Sequence, residues 1–180
     1  MINSFKILLL GEKGVGKTSI VNMYVLGKLV DEPIMTIGAN FMMKNYKSSD
    51  TGENFRLSIW DTAGQEGYGD IIDAYYNDVK AAIIVYDITD SETFEKVNTW
   101  IERVTAKNST VKLVLVGNKV DLESSRLVTI EDAEDKATIY GMRYFEASAL
   151  KNKQIDEIFS SIAEDLIRDF NKGLSQNTLR

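Results

Sequence analysis

Residues Gly11-Glu12-Lys13-Gly14-Val15-Gly16-Lys17-Thr18 leave this chain few folds to choose from. They follow a short apolar run, Phe5 to Leu10, and open a segment in which Ile20, Val21, Tyr24 and Val25 recur at helical spacing. The glycines let the loop curl until its backbone N–H groups point inward, and a helix N-terminus adds partial positive charge. A strand–loop–helix junction of this kind is a phosphate cradle. The candidate contacts are Gly14, Val15, Gly16, Lys17, Thr18 and Ser19, with Lys17 reaching the β/γ-phosphates and the Thr18 hydroxyl ligating Mg2+. The loop suits a nucleoside triphosphate but does not choose between ATP and GTP.

The remaining patterns agree with such a junction. Ala81 to Tyr86 and Val111 to Val116 are nearly continuous apolar runs, as expected of parallel strands covered on both faces. Asn54 to Trp60 alternates, and with Asn40 to Lys47 it predicts a hairpin around Asp50-Thr51-Gly52 that adds an antiparallel edge. Phe94, Val97, Ile101 and Val104 form one helical stripe, with Ser91 as its expected N-cap. Ile155, Ile158, Phe159, Ile162, Leu166 and Phe170 form another. The order predicts a doubly wound α/β domain, with ligands at the carboxyl ends of the strands. The 180 residues contain no linker-like stretch, so one domain over 1–180 is expected, with its core at about 5–170.

Composition narrows the chemistry. Histidine and cysteine are both missing, which excludes disulfides, thiolate nucleophiles, Cys/His zinc sites and serine–histidine triads within the chain. Catalysis must use carboxylates, amides, hydroxyls, Lys, Arg or backbone amides, with a hard cation such as magnesium. With 27 acidic against 21 basic residues, a broad basic surface for nucleic acid is not expected. No apolar run approaches the ~20 residues of a membrane span. A cytoplasmic location is expected.

The base is addressed by Asn118-Lys119-Val120-Asp121, at the end of the third apolar run. A carboxylate in the plane of guanine accepts from both N1–H and the exocyclic amine. Against adenine, Asp121 would be desolvated and unpaired, a mismatch worth roughly 10⁴-fold or more. Asn118 braces the loops and the stem of Lys119 covers a face of the base. Glu146-Ala147-Ser148-Ala149-Leu150 supplies a backbone N–H to guanine O6, which makes Ser148, Ala149 and Leu150 candidates.

Hydrolysis is addressed by Trp60-Asp61-Thr62-Ala63-Gly64-Gln65-Glu66. Asp61 is placed to bind magnesium through water, Gly64 to offer its N–H to the γ-phosphate, and Gln65 to orient an attacking water. Thr36 is the candidate second hydroxyl on magnesium, with its N–H on the γ-phosphate. Lys17, Thr36 and Gln65 are the expected catalytic set, since phosphoryl transfer mainly demands positioning and charge stabilisation. Two other readings stand beside this one. They are a nucleotide-binding interaction module with little hydrolysis, which Gln65 and Thr36 oppose, and an ATP-using phosphotransferase, which Asn118 and Asp121 oppose.

These motifs together resemble the Ras-like small GTPases, and within them the Rab branch, from about Phe5 to about Phe170. The branch signal lies in the Trp60–Glu66 motif, Thr36-Ile37-Gly38, Tyr75-Tyr76 and Tyr86-Asp87-Ile88-Thr89. The resemblance implies a six-stranded, mostly parallel sheet with helices on both faces. It also implies a GDP/GTP switch in vesicle traffic, with exchange factors, GTPase activators and effectors bound through residues about 30–45 and 64–78.

The chain departs from the branch at several places. Leu29 stands where an aromatic usually packs against guanine; either nucleotide release is faster or neighbouring side chains fill the gap. Lys13 stands where the branch has a small or acidic residue; its ammonium either stabilises charge at the γ-phosphate or extends into solvent. Gly67-Tyr68-Gly69-Asp70-Ile71, with Asp73, replaces a usually basic segment and predicts a mobile second switch with altered partners, as does Asn40 in place of aspartate. Rab chains end in a tail with prenylated cysteines. Membrane attachment, on the cytosolic face, is therefore expected only with a lipidated tail beyond this sequence.

Overall fold

The computed structural model describes residues 2–30, 36, 38–64 and 75–178, with side chains described as far as residue 174. The elements in chain order are β1 (Ser4–Leu10), α1 (Lys17–Leu26), β2 (Ala39–Lys47), β3 (Asn54–Thr62), β4 (Ala81–Asp87), α2 (Ser91–Glu95), α3 (Val97–Lys107) and β5 (Lys112–Asn118). A 3₁₀ turn (Val120–Ser125), α4 (Ile130–Ile139), β6 (Arg143–Glu146) and α5 (Ile155–Thr178) complete them.

The strands form one sheet in the order β2-β3-β1-β4-β5-β6. All neighbours run parallel except β2 and β3, the expected hairpin at the edge. Its turn closes where Ser48 N donates to Glu53 O at 2.9 Å and Gly52 N to Ser48 O at 2.9 Å. Every residue of β4 is buried, as a central strand covered on both faces requires.

The sheet divides the core in two. On one face Ile7, Leu9, Ile59, Ile83 and Val116 meet α1 and α5, where Tyr24 stacks on Phe159 with ring centroids 3.8 Å apart. On the other face Leu8, Leu10, Ile84 and Leu115 meet α3 and α4. Alternation of side chains across each strand makes this division, since successive residues point to opposite layers.

The helical stripe from Phe94 to Val104 needs two corrections. It is two helices, broken at Lys96, and its cap is Asp90 rather than Ser91. Asp90 Oδ1 accepts from Glu92 N at 3.0 Å and Thr93 N at 3.4 Å. A carboxylate one residue earlier satisfies two orphan N–H groups at once, which leaves Ser91 inside the first turn. The stripe also omits Trp100, the largest fully buried side chain of that layer.

Parallel register brings the functional strand ends level. Leu9 pairs with Asp61, Asp87 with Asn118, and Gly117 with Glu146. The loops after β1, β3, β5 and β6 therefore open on one edge.

Candidate functional site

The phosphate loop is tied down from within. Lys17 is only 6% exposed, and its Nζ donates to Gly11 O at 2.7 Å and Glu12 O at 2.8 Å. Burial pushes its ammonium down to about 8, against the opposing pull of Asp61 and Glu12. Helix α1 begins without a side-chain cap, and its first intrahelical bond here is Ile20 N to Gly16 O. The N–H groups of Lys17, Thr18 and Ser19 thus lack intrahelical acceptors, which fits an anion at this end. Gly16 has φ +99°, and a Cβ there would lie 2.3 Å from Asn118 Nδ2, so the loop tolerates no side chain at that point.

Three oxygen-bearing side chains converge beside this loop. Thr18 Oγ1 donates to Asp61 Oδ2 at 2.6 Å, Thr36 Oγ1 to the same oxygen at 3.3 Å, and the two hydroxyls lie 3.0 Å apart. Asp61 is 1% exposed, and its Oδ1 has no hydrogen-bond partner among the described residues. Burial pushes its carboxyl above the usual range, against the Thr18 bond, the Lys17 charge and the Thr36 bond. A buried carboxylate oxygen without a partner, among hydroxyls, is a donor set that fits a hard cation such as Mg2+. One carboxylate is sufficient for that ion, which keeps several waters and shares phosphate oxygens. Accordingly, no cluster of three acidic or Cys/His ligands occurs among the described residues.

Gly64 completes the floor. A Cβ on it would stand 2.3 Å from Lys13 N and 2.4 Å from Glu12 C, so only glycine permits this approach of the β3 loop to the phosphate loop. Gln65 lies outside the described residues, as does the segment Gly67 to Asp73 on which the mobile-switch expectation rests. Lys13 is exposed and forms no hydrogen bond or ion pair with another described residue. Leu29 is half-buried and packs against the cluster shared by α1 and α5.

The base-reading turn is built from four strand ends. Asn118 is buried; its Nδ2 donates to Val15 O at 2.8 Å and its Oδ1 accepts from Ala149 N at 3.3 Å. Ser148 Oγ donates to Asp121 Oδ1, fixing the carboxylate assigned to guanine. The Ala149 N–H, one of the candidate backbone donors for guanine O6, is engaged with Asn118 in this structure, and Leu150 is exposed. Arg126 bridges the turn to β6, donating to both Glu146 oxygens at 2.7 and 3.0 Å.

Sequence reasoning missed the partner of Lys119. Its Nζ lies 2.5 Å from Asp87 Oδ2, the last residue of β4. Burial raises the Asp87 carboxyl, but the Lys119 and Thr89 bonds outweigh it and hold the group below the usual carboxylate range. Lys119 has φ +70°, and the ion pair fixes its stem in that strained turn. An acidic residue closing an apolar strand was the available signal.

Comparison with known proteins gives the same answer from a different direction. The sequence model of the Ras family matches residues 6–168. The Ras-related protein Rab-21 of Bos taurus is 43% identical over 165 residues, covering 91% of this chain and 73% of the relative. The human Rab-21 is 42% identical over the same length, with 72% of it covered. The Ras-related protein Rab-13 of Bos taurus is 39% identical over 164 residues, with 91% and 80% covered.

Proposed function

The chain belongs to the Ras family, and from that premise we propose that its four strand-end loops bind GTP with Mg2+ and hydrolyse it to GDP and phosphate. It is a Rab-like GTP-binding switch that regulates vesicle traffic.

The observation that carries the residue assignment is the convergence of Thr18, Thr36 and Asp61 beside Lys17. Lys17, freed from Gly11 O and Glu12 O, donates to phosphate oxygens and stabilises the charge that develops on them. The N–H groups at the start of α1 hold the same phosphates. Thr18, Thr36 and Asp61 would hold magnesium, which supplies charge neutralisation at the β- and γ-phosphates. Asp121, steadied by Ser148, accepts from guanine, and Lys119, steadied by Asp87, covers the base. Gln65 orients the water.

Among the described residues, Thr36 Oγ1 bonds with Thr18 and Asp61, which supports its role as the switch element. Exchange factors, activators and effectors bind through residues about 30–45 and 64–78, where the edge strand β2 exposes Phe41 and Met43. No described helix is long and apolar enough to cross a membrane. The protein acts in the cytosol or, with a lipidated tail, on the cytosolic face of a membrane.

The test is to identify the nucleotide retained by the purified chain and then follow single-turnover phosphate release with magnesium. Retained guanine nucleotide and slow, magnesium-dependent release are expected. Bound adenine nucleotide would overturn the base assignment, and binding without release would leave an interaction module.

A further inference from the structure

Trp100 donates its indole N–H to Glu12 Oε1 at 3.0 Å, joining residues 88 positions apart. Trp100 is 1% exposed on α3, in the layer with Leu8, Leu10, Val97, Ile101 and Val104. Glu12 is the second residue of the phosphate loop. Its carbonyl accepts from Lys17 Nζ at 2.8 Å, and Gly64 approaches its peptide too closely for any Cβ. One peptide thus meets the lysine, the β3 loop and, through its side chain, the core of a helix distant in sequence.

Core packing does not account for this arrangement. A leucine or phenylalanine at position 100 would fill the layer without placing a donor at the loop. A buried indole N–H requires an acceptor, and a carboxylate makes the bond charge-assisted. Glu12 is only half-buried, so solvent was open to its carboxylate, yet it turns inward to α3. The bond fixes a residue of a loop that is otherwise rich in glycine.

We propose that Trp100 is a positioning residue for the phosphate loop: through Glu12 it holds the peptide that seats Lys17 and Gly64, and so governs how long the loop retains a nucleotide. The proposal rests on the guanine-nucleotide reading above. It makes α3 and the phosphate loop one mechanical unit.

The experiment measures release of a fluorescent GDP analogue, with magnesium, from the full chain and from Trp100→Phe, Glu12→Ala, their double variant and Glu12→Gln. Each of the first two releases GDP on the order of tenfold faster, the loss of one charge-assisted hydrogen bond. The double variant is no faster than either, because both remove the same bond. Glu12→Gln, whose amide oxygen still accepts, stays within about threefold of the parent. Unchanged release in the single variants, or a double effect equal to their product, overturns the proposal. So does a Glu12→Gln chain as fast as Glu12→Ala.

Should Trp100→Phe fail to fold, a second readout is independent of it. In a Trp60→Phe background Trp100 is the sole tryptophan, and Glu12→Ala must shift its emission maximum if the bond exists. An unshifted spectrum overturns the contact itself. A parent chain that binds no guanine nucleotide defeats the functional reading instead. A parent that binds normally, with variants that release GDP unchanged, defeats only this inference.

Discussion

Asn118 donates from Nδ2 to Val15 O at 2.8 Å across a sequence separation of 103 residues, and so fastens the base-reading turn to the phosphate loop. Its Oδ1 holds Ala149 N in turn, so a single buried amide joins three loops. Asn118→Ala leaves Val15 O and Ala149 N unpaired and costs about 2 to 3 kcal/mol of stability. Urea unfolding of the nucleotide-free chain checks this, and GDP release from the same variant accelerates. A variant as stable as the parent would show that the amide is not the fastening.

Asp61 sets stability against function. Its folded carboxyl titrates above the ordinary value of 3.8, mainly through burial, so the fold favours the protonated form. The stability this group contributes is therefore full below the unfolded pKa and is lost as pH rises through the folded one. At pH 7, without nucleotide or magnesium, Asp61→Asn melts higher than the parent. With magnesium, its GDP affinity falls on the order of a hundredfold, about 2.7 kcal/mol. Differential scanning calorimetry and fluorescent-nucleotide titration read the two effects separately.

Lys17, held down to about 8 by burial, gives a signature in pH. Below that value the unliganded fold carries a buried charge, and stability rises as pH climbs from 8 towards 10.5 and the ammonium loses its proton. Phosphate favours the charged form, so binding takes up a proton above pH 8. Parent affinity for GDP declines by up to about tenfold between pH 7 and 9. Lys17→Met binds weakly and without that decline; parallel profiles would assign the titration elsewhere.

Glu164 ties α5 to the hairpin turn. It accepts from Tyr46 Oη at 2.8 Å, Ser48 Oγ at 2.9 Å, Ser49 N at 2.7 Å and Ser49 Oγ at 3.0 Å. Burial raises its carboxyl, but these bonds prevail and hold it below 4.5. A depressed carboxylate stabilises above its unfolded pKa and ceases to as pH falls through the folded one. Glu164→Ala loses about 1 to 2 kcal/mol at pH 7, and its melting curve converges with the parent's in acid below pH 4.5.

Two departures from the branch separate by kinetics. Lys13 points to solvent without a described partner, so Lys13→Ser changes single-turnover hydrolysis by less than about twofold. Leu29→Phe adds an aromatic contact worth about 0.5 to 1.5 kcal/mol and slows GDP release by about two- to tenfold. A slower Lys13→Ser enzyme would give the ammonium a role in charge stabilisation.

The phosphate loop was legible in the sequence because its geometry is local: glycines, a preceding apolar strand and a following helix decide it within a few turns. The same holds for the β2–β3 hairpin, read from alternation around Asp50-Thr51-Gly52. The cap at Asp90 was misplaced by one residue, because Ser91 and Asp90 both offer an oxygen and backbone angles choose between them. Trp100 stands three residues after Val97 and four before Val104, so it fits the helical period of that stripe; its bond to Glu12 is what spacing along the chain does not indicate.

The motif residues and their order along the chain are determined by the sequence alone, since sterics and side-chain period act on neighbouring residues. Which of them touch was decided only by the tertiary structure. Register levels Asp61 with Leu9 and Asn118 with Asp87, and layer packing carries Trp100 to Glu12 and Lys119 to Asp87. Hydrogen bonds act over about 3 Å, and no pattern along a chain specifies which distant groups the fold brings within that reach.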